Sequence, residues 1–138
     1  MPVEVINPQS LRQTRTYFQA SIATGTRLIC LAGQAGVDAT GQVVGKDDLS
    51  AQTEQAYKNI HNAMRELGAS FTDIVKLTVY VPNLSPEDMQ PLIEGAERAG
   101  ASLGFDMRRP LTLVGVSALA NPDWLIEVEA MALTEAAS

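Results

Sequence analysis

The sequence has a single cysteine and a single histidine, and each shortage excludes a class of protein. Because Cys30 is the only cysteine among 138 residues, an internal disulfide is impossible, and a reducing cytoplasmic location is expected. Because His61 is the only histidine, one chain cannot build a multi-histidine site, and we expect no metal or other cofactor. Cys30 lies in an apolar run, so a buried, inert thiol is expected there, and a surface imidazole is expected at His61.

Positive charge is also scarce. Lysine and arginine total 10 against 16 aspartate and glutamate, a net charge of −6, and the only adjacent pair of basic residues is Arg108-Arg109. A nucleic-acid partner is therefore not expected, because nucleic-acid binders present a basic face. No apolar run reaches the roughly 18 residues that span a membrane. Residues 1–4 lead straight into a β-like segment, so neither a secretory leader nor a membrane partner is expected.

The sequence does contain a large apolar fraction arranged in regular patterns. Apolar residues make up 46% and charged residues 19% of the chain, which suits one packed domain over residues 1–138. Gly25 predicts a hairpin between the second and third strands, and Gly100 predicts the end of the second helix. The patterns predict strands over 3–6, 16–23, 27–32, 74–81, 111–116 and 124–133, and helices over 49–67 and 85–100.

The order of these elements predicts an α+β fold. Two helices are too few to cover both faces of a doubly wound sheet, so both are expected on one face of a mixed sheet. Residues 28–31 are all apolar and leave no polar face on their strand. A strand that is apolar on both faces needs cover on both sides. We therefore expect another subunit to cover the face that the helices leave open.

Six short segments follow one another in a recognisable order along nearly the whole chain. They are residues 17–20, 31–34, 51–56 with Asn59, 73–81, 114–119 and 126–132. Together these segments resemble the YjgF/RidA family. The resemblance implies a six-stranded mixed sheet with two helices on one face, similar to the small trimeric chorismate mutases. It also implies a homotrimer with small-molecule sites in the clefts between subunits.

The activity that this resemblance implies is hydrolysis of reactive enamines and imines, such as 2-aminoacrylate, to a 2-keto acid and ammonia. Such chemistry requires a cation for the carboxylate, a carboxylate that orients or deprotonates water, and a group that helps protonate the substrate. In the family these tasks involve an arginine on the penultimate strand and a glutamate on the last strand. A tyrosine near the N-terminus and a Ser-Gly turn line the rest of the cleft.

The family pattern is only partly kept in this sequence. Glu127 and Tyr17 match the glutamate and the tyrosine, and are the expected catalytic residues. Ala32-Gly33 stands for the Ser-Gly turn, so the hydroxyl is missing. Leu111 occupies the arginine position, and Leu113 the position that is often cysteine. We therefore expect a divergent member without the carboxylate clamp, in which Ala32, Gly33, Leu111 and Leu113 bind substrate.

Two arginines offer a replacement for that clamp. Arg108 and Arg109 precede Pro110, directly before the strand that carries Leu111. Either could direct a cation into the cleft, and Arg109 is taken as a substrate-binding candidate. The alternative is that the pair is a solvated turn.

Two functions of different kinds remain open. The first is a RidA-like hydrolase or deaminase that acts on a small enamine, imine or related conjugated metabolite and is not efficient on 2-aminoacrylate. The second is a non-catalytic trimer that binds a small ligand as a sensor or chaperone-like protein, since two leucines make the cleft apolar. A ribonuclease role has also been attached to the family, but the net charge of −6 disfavours it.

Overall fold

The computed structural model describes residues 3–136 and contains the expected order of elements. The observed bounds differ from the predicted ones mostly by a few residues at each end. The strands are β1 Val3–Ile6, β2 Ala20–Ala23, β3 Arg27–Ala35, β4 Ile74–Pro82, β5 Leu111–Val116 and β6 Glu127–Thr134, and the helices are α1 Leu49–Glu66 and α2 Met89–Leu103.

The strands form two sheets, with four strands in the main sheet in the order β3-β6-β4-β5. β6 is antiparallel to both of its neighbours, whereas β4 and β5 are parallel, so the main sheet is mixed. The α+β class, with two helices on a mixed sheet, is therefore confirmed. The prediction of one six-stranded sheet is wrong, because β1 and β2 pair only with each other.

The hairpin expected around Gly25 is also wrong, because β3 pairs with β6 instead of β2. Directly after Gly25, the Thr26 amide donates a hydrogen bond of 3.0 Å to the Thr134 carbonyl. A Cβ at Gly25 would lie 2.6 Å from that same carbonyl oxygen. Gly25 therefore allows a close approach to the end of β6, a contact between distant residues that local turn patterns do not report.

Only the first helix begins at the predicted cap, where the Asp48 carboxylate accepts a hydrogen bond of 3.0 Å from the Ala51 amide. The capping box of Ser85 and Asp88 forms as predicted, but it caps a short 3-10 turn over Pro86–Asp88, and α2 begins after that turn at Met89. The helices contact each other closely at Gly95, where a Cβ would lie 2.4 Å from the Ser50 carbonyl oxygen. In the described part of the chain, neither helix is long and apolar enough to cross a membrane.

The predicted end of the second helix at Gly100 is wrong. The helix continues to Leu103, and Gly104, with φ of 79°, is the left-handed residue that ends it. The Gly100 carbonyl accepts hydrogen bonds from the amides of Gly104 and Phe105. A Cβ at Gly100 would lie 2.4 Å from the Phe105 carbonyl oxygen. Gly100 is therefore needed inside the helix, because the chain returns across it.

The helices cover one face of the main sheet, and the core lies between the helices and the sheet. Its largest fully buried apolar side chains are Phe71, Ile60, Met64, Ile74, Leu77, Ile126 and Val128.

The opposite face of the sheet is open in the single chain and carries exposed apolar side chains on β3 and β6. On β3 and β6, Leu28 is 62% and Met131 43% exposed. Cys30 lies between them on this face and is exposed, so the prediction of a buried thiol is wrong for the single chain. The apolar run around Cys30 reflects a strand that is apolar on both faces, only one of which this chain covers.

His61 is buried, which corrects the expected surface position. Its imidazole is 9% exposed and stacks on the Phe105 ring, with 5.1 Å between the ring centroids. Burial, followed by the nearby Arg65 charge, lowers the pKa of His61. Phe105 comes from the segment after α2, so the covering group is distant in sequence and local helix periodicity could not predict it.

Gln52 is the polar residue on which the loops around the sheet depend. Its side chain is fully buried on α1. Its amide nitrogen donates to the carbonyls of Gly45 and Asp123, each at 3.1 Å. Its oxygen accepts from the Leu125 amide at 2.9 Å. One side chain therefore fixes the loop before α1 and the segment that leads into β6.

Replacing Gln52 by leucine should destabilise the protein strongly. The change leaves one backbone amide and two carbonyls without their partner, and each orphaned buried group costs about 1–3 kcal/mol. We expect Gln52→Leu to lower the free energy of unfolding by more than about 2 kcal/mol in urea denaturation. Gln90→Leu, on the exposed surface of α2, is the control and should change it by less than about 0.5 kcal/mol. Equal effects of the two variants would contradict this role of Gln52.

Candidate functional site

The segment between β1 and β2 is held in place by its own hydrogen bonds. The Asn7 side chain accepts from the Gln19 amide at 2.9 Å and donates to the Thr14 carbonyl at 3.2 Å. The Thr14 hydroxyl donates to the Tyr17 carbonyl at 2.5 Å. The Phe18 amide donates to the Arg109 carbonyl, which ties the segment to the residues before β5. Tyr17 is therefore presented from a braced loop.

Tyr17 faces a cavity of about 250 Å³ on the helix-covered side of the sheet. Leu111 and Leu113 line the same cavity, because alternation along β5 places both on the side of their partners Leu77 and Val79. α2 contributes further apolar side chains from the opposite wall, namely Met89, Leu92, Ile93 and Ala96. The structure therefore brings together three of the predicted site residues in a mainly apolar cavity.

Arg12 also lines this cavity, and the sequence analysis missed it. Its guanidinium donates a hydrogen bond of 3.1 Å to the Tyr17 hydroxyl. Within residues 3–136 it is the only charged side chain that lines the cavity. The only signal in the sequence is that Arg12 lies five residues before Tyr17 in a polar loop, which does not reveal where the side chain points.

Glu127 and Gly33 meet on the other, open face of the sheet. Glu127 opens β6 and pairs with Tyr80 of β4 and Ala35 of β3. The register of β3 shifts between Leu31 and Gln34, so Gly33 lies in an irregular stretch. A Cβ at Gly33 would lie 2.6 Å from the Glu127 carboxylate carbon. Glycine at position 33 thus gives the carboxylate room to lie across the strand, next to the exposed Ala32.

A second acidic residue on this face, Glu129, accepts a hydrogen bond from the Tyr80 hydroxyl. This bond raises the pKa of Tyr80, because it is made by the neutral phenol, and the charges of Glu129 and Glu127 act in the same direction. Glu127, Glu129 and Tyr80 therefore form a polar patch within the apolar face.

The two arginines before β5 do not line the cavity. Arg108 is half-buried and binds Asp106, with 2.7 Å between Nη2 and Oδ2, while its guanidinium lies over the Phe18 ring. Arg109 is buried, at 4% exposure, and its Nε donates to the Ile74 carbonyl at 3.0 Å. Burial lowers the pKa of Arg109. The expectation that Arg108 and Arg109 form a solvated turn pair is therefore wrong for Arg109. The substrate-binding role expected for Arg109 stays a prediction.

The predicted site residues thus fall into two groups on opposite faces of the sheet. Tyr17, Leu111 and Leu113 lie with Arg12 on the helix-covered side, whereas Gly33 and Glu127 lie on the open side. Among the residues that the structure describes, no group of three or more histidine, cysteine, aspartate or glutamate side chains could hold a metal ion. The chemistry available is that of a carboxylate, a phenol and a guanidinium.

The fold and cavity define a small α+β protein with a built ligand pocket and an open apolar sheet face. The chain belongs to the YjgF/RidA family, because the family model described as Endoribonuclease L-PSP matches residues 8–134. Proteins of this family bind small ligands, often act as deaminases and are typically trimers.

Individual relatives support this assignment over nearly the full chain. A RutC family protein of Pyrococcus abyssi is 35% identical over 137 residues, covering 98% of this chain and 100% of that protein. The structure of YyfB, a conserved Rid family protein of unknown function from Yersinia pestis, superposes with a TM-score of 0.83 at 35% identity, covering 96% of this chain and 99% of that one. YjgF from E. coli gives a TM-score of 0.65 at 28% identity, covering 85% and 87%.

The polar patch predicts a measurable tyrosine titration. We expect Tyr80→Phe to remove a component of the tyrosinate absorbance that titrates above the ordinary pKa of about 10. Glu129→Ala removes the acceptor and one negative charge, so the Tyr80 component should then move toward lower pH. Ultraviolet titration of the wild type and both variants measures these shifts. A Tyr80 component that is unchanged in Glu129→Ala would contradict the pairing.

Proposed function

We propose that this protein is a RidA-like hydrolase of the deaminase type, acting on a small enamine, imine or related conjugated metabolite. Its sites would lie in clefts between the subunits of a homotrimer. The observation that supports this most directly is the position of Glu127, whose carboxylate packs over Gly33 on an apolar sheet face that the chain itself leaves open.

The trimer is supported by the apolar residues on that face. Leu28 and Met131 are large exposed apolar side chains on the adjacent strands β3 and β6, with the exposed Cys30 beside them. Monomeric proteins rarely leave contiguous apolar surface in water, and an obligate interface buries well over about 1,000 Å² in total. Joining these faces would remove the apolar surface from water and would bury the exposed thiol of Cys30.

A site built between subunits follows from the same geometry. Within one chain the sheet separates Glu127 from the cavity that Tyr17 lines. A site that uses both side chains therefore takes Glu127 and Gly33 from one subunit, and Tyr17, Leu111 and Leu113 from its neighbour. A site shared in this way between two subunits requires no change in the position of any of these residues within its own chain.

In the proposed reaction, Glu127 accepts a proton from a water molecule while the water oxygen attacks the imine carbon. The imine nitrogen takes up a proton with the help of the Tyr17 hydroxyl, which gives a carbinolamine. Glu127 then carries the hydroxyl proton to the nitrogen, which leaves as ammonia when the carbon–nitrogen bond breaks, and the former hydroxyl oxygen becomes the carbonyl oxygen of the product. One water is consumed per imine, and an enamine enters the sequence after protonation on carbon.

The apolar cavity favours substrates larger than 2-aminoacrylate. Leu111 offers no charge-assisted contact to a carboxylate and would present an apolar surface to it. A three-carbon acid would also leave most of the apolar wall unfilled. We therefore infer weak activity on 2-aminoacrylate and better activity on molecules with an apolar side chain.

Complementation between inactive variants tests the shared site. Glu127→Gln and Tyr17→Phe should each lose most activity, since removing a positioned acid or base costs about 10²–10⁴ in rate. In a mixed trimer, about one of the three sites would combine an intact Glu127 with an intact Tyr17 from its neighbour. Co-expression with two affinity tags isolates the mixed trimers, which should thus show about a third of wild-type activity.

Two controls make this result decisive. A mixture of two differently tagged Glu127→Gln chains should stay inactive, and light scattering should give a trimer mass for every sample. Trimers that form but show no complementation would mean that Glu127 and Tyr17 act within one chain or not in one site. A monomer mass at micromolar concentration would contradict the whole arrangement.

The position of Leu111 predicts a gain of function. A bidentate contact of arginine with carboxylate contributes about 1.5–3 kcal/mol, so Leu111→Arg should raise the efficiency on 2-aminoacrylate by about tenfold to a hundredfold. The imine formed by an amino-acid oxidase is trapped with semicarbazide, and less trapped product indicates faster hydrolysis. Leu113→Arg is the matched control on the same wall. Robust activity of the wild type on 2-aminoacrylate would contradict the proposed preference.

A second candidate is a non-catalytic trimer that binds a small ligand as a sensor or chaperone-like protein. The observation that favours it is the mainly apolar lining around Leu111 and Leu113. If this reading holds, the wild type hydrolyses none of a panel of imines, and Glu127→Gln does not change ligand binding.

A further inference from the structure

The polar end of the cavity is made by Arg12 and Tyr17. The Arg12 guanidinium donates to the Tyr17 hydroxyl at 3.1 Å, and both side chains line the cavity. Arg12 makes no ion pair with any carboxylate in residues 3–136, whereas Arg108 is neutralised by Asp106. The cavity therefore has an uncompensated positive charge at its mouth, with donors left to bind an anion.

The loop that carries this pair is ordered by several independent contacts. The Arg12 carbonyl accepts from the Gln19 side chain at 3.0 Å, and Gln13 donates to the carbonyls of Pro8 and Leu11. Such bracing reduces the conformational entropy that a ligand would otherwise have to remove. The guanidinium is thus positioned before any ligand arrives.

The inner wall of the cavity shows a second sign of a binding site. Tyr57 of α1 lines it and is only 3% exposed. Its hydroxyl makes no hydrogen bond to another residue in the described part of the chain and is not among the fully buried unpaired atoms, so it is open to the cavity. A hydroxyl that opens into a mainly apolar cavity is a donor and acceptor that a ligand or water can use.

From this arrangement we infer that Arg12, supported by Tyr17, is the carboxylate-binding residue of this cavity, and that the ligand is a small monocarboxylate with a branched aliphatic chain. The chain would lie against Leu111, Leu113, Leu92 and Ile93, which line the cavity beyond the pair. The inference rests on the proposed function for the assignment of the cavity as the substrate site. It adds a charge that Leu111 does not supply, and binding through Arg12 still requires a chain that fills the apolar wall, so 2-aminoacrylate stays a poor substrate.

The test uses calorimetric titration with 4-methylpentanoate, its uncharged amide and acetate. The wild type should bind 4-methylpentanoate at least about tenfold more tightly than either of the other two. The preference over the amide tests the charge, and the preference over acetate tests the apolar wall. Equal binding of acid and amide, or no binding of the acid, would overturn the inference.

Variants of Arg12 then test whether this residue supplies the positive charge that binds the carboxylate. Arg12→Met, which keeps the chain length, should weaken binding of the acid by about tenfold or more and leave the amide unaffected. Arg12→Lys should recover part of the loss, since it keeps the charge but not the planar fork. Arg15→Met is the matched control, because Arg15 lies in the same loop but does not line the cavity. Equal losses in Arg12→Met and Arg15→Met would overturn the inference.

Binding and turnover separate this inference from the proposed function. If 4-methylpentanoate binds through Arg12 but no imine is hydrolysed, the carboxylate site stands and the protein is a ligand-binding trimer. If imines are hydrolysed but Arg12→Met binds the acid as the wild type does, the enzyme proposal stands and the role of Arg12 is wrong.

Discussion

The structure depends on β6, which lies between β3 and β4 and pairs with both in antiparallel register. Alternation along this one strand places Val128 and Ala130 under the helices and Glu127 and Glu129 on the opposite face. A slip of one residue would expose the core positions and bury two carboxylates, so the register is strongly specified. The position of Glu127 therefore follows from the packing of the core.

This constraint explains why the proposed site residues are divided between two faces of the sheet in the single chain. The cavity lies between the helices and the sheet, and the carboxylate lies behind the sheet. Neither group can change sides without breaking the pairing of β6. An enzyme built on this fold can combine them only by placing the open face of one subunit beside the cavity of another, which links catalysis to assembly.

The loops between β3 and α1 are held by polar side chains. Gln52 fixes the loop before α1, and Asn59 donates to the carbonyls of Ala35 and Val37 at the end of β3. These amides satisfy backbone groups that have no partner in the sheet, which keeps irregular chain close to the core without a desolvation cost. The irregular segments are therefore held to α1 by specific hydrogen bonds.

Local chemistry in the sequence was sufficient for the elements and for the family. Asp48 caps α1 as predicted, Ser85 and Asp88 form the predicted capping box at the turn that leads into α2, and alternation in β5 placed Leu111 and Leu113 on one face. These features depend on neighbours within four residues, which the sequence displays directly. The family segments likewise led to Glu127 and Tyr17, although not to the faces on which they lie.

Tertiary structure alone decided the rest, because it depends on residues that are far apart in the chain. The pairing of β3 with β6, the cover that Phe105 provides for His61 and the burial of Arg109 all involve distant partners. Arg12 is the clearest case, since only the folding of its loop against β5 brings its guanidinium to the cavity. A sequence shows which charges exist, but the packing of distant segments decides which of them reach a site.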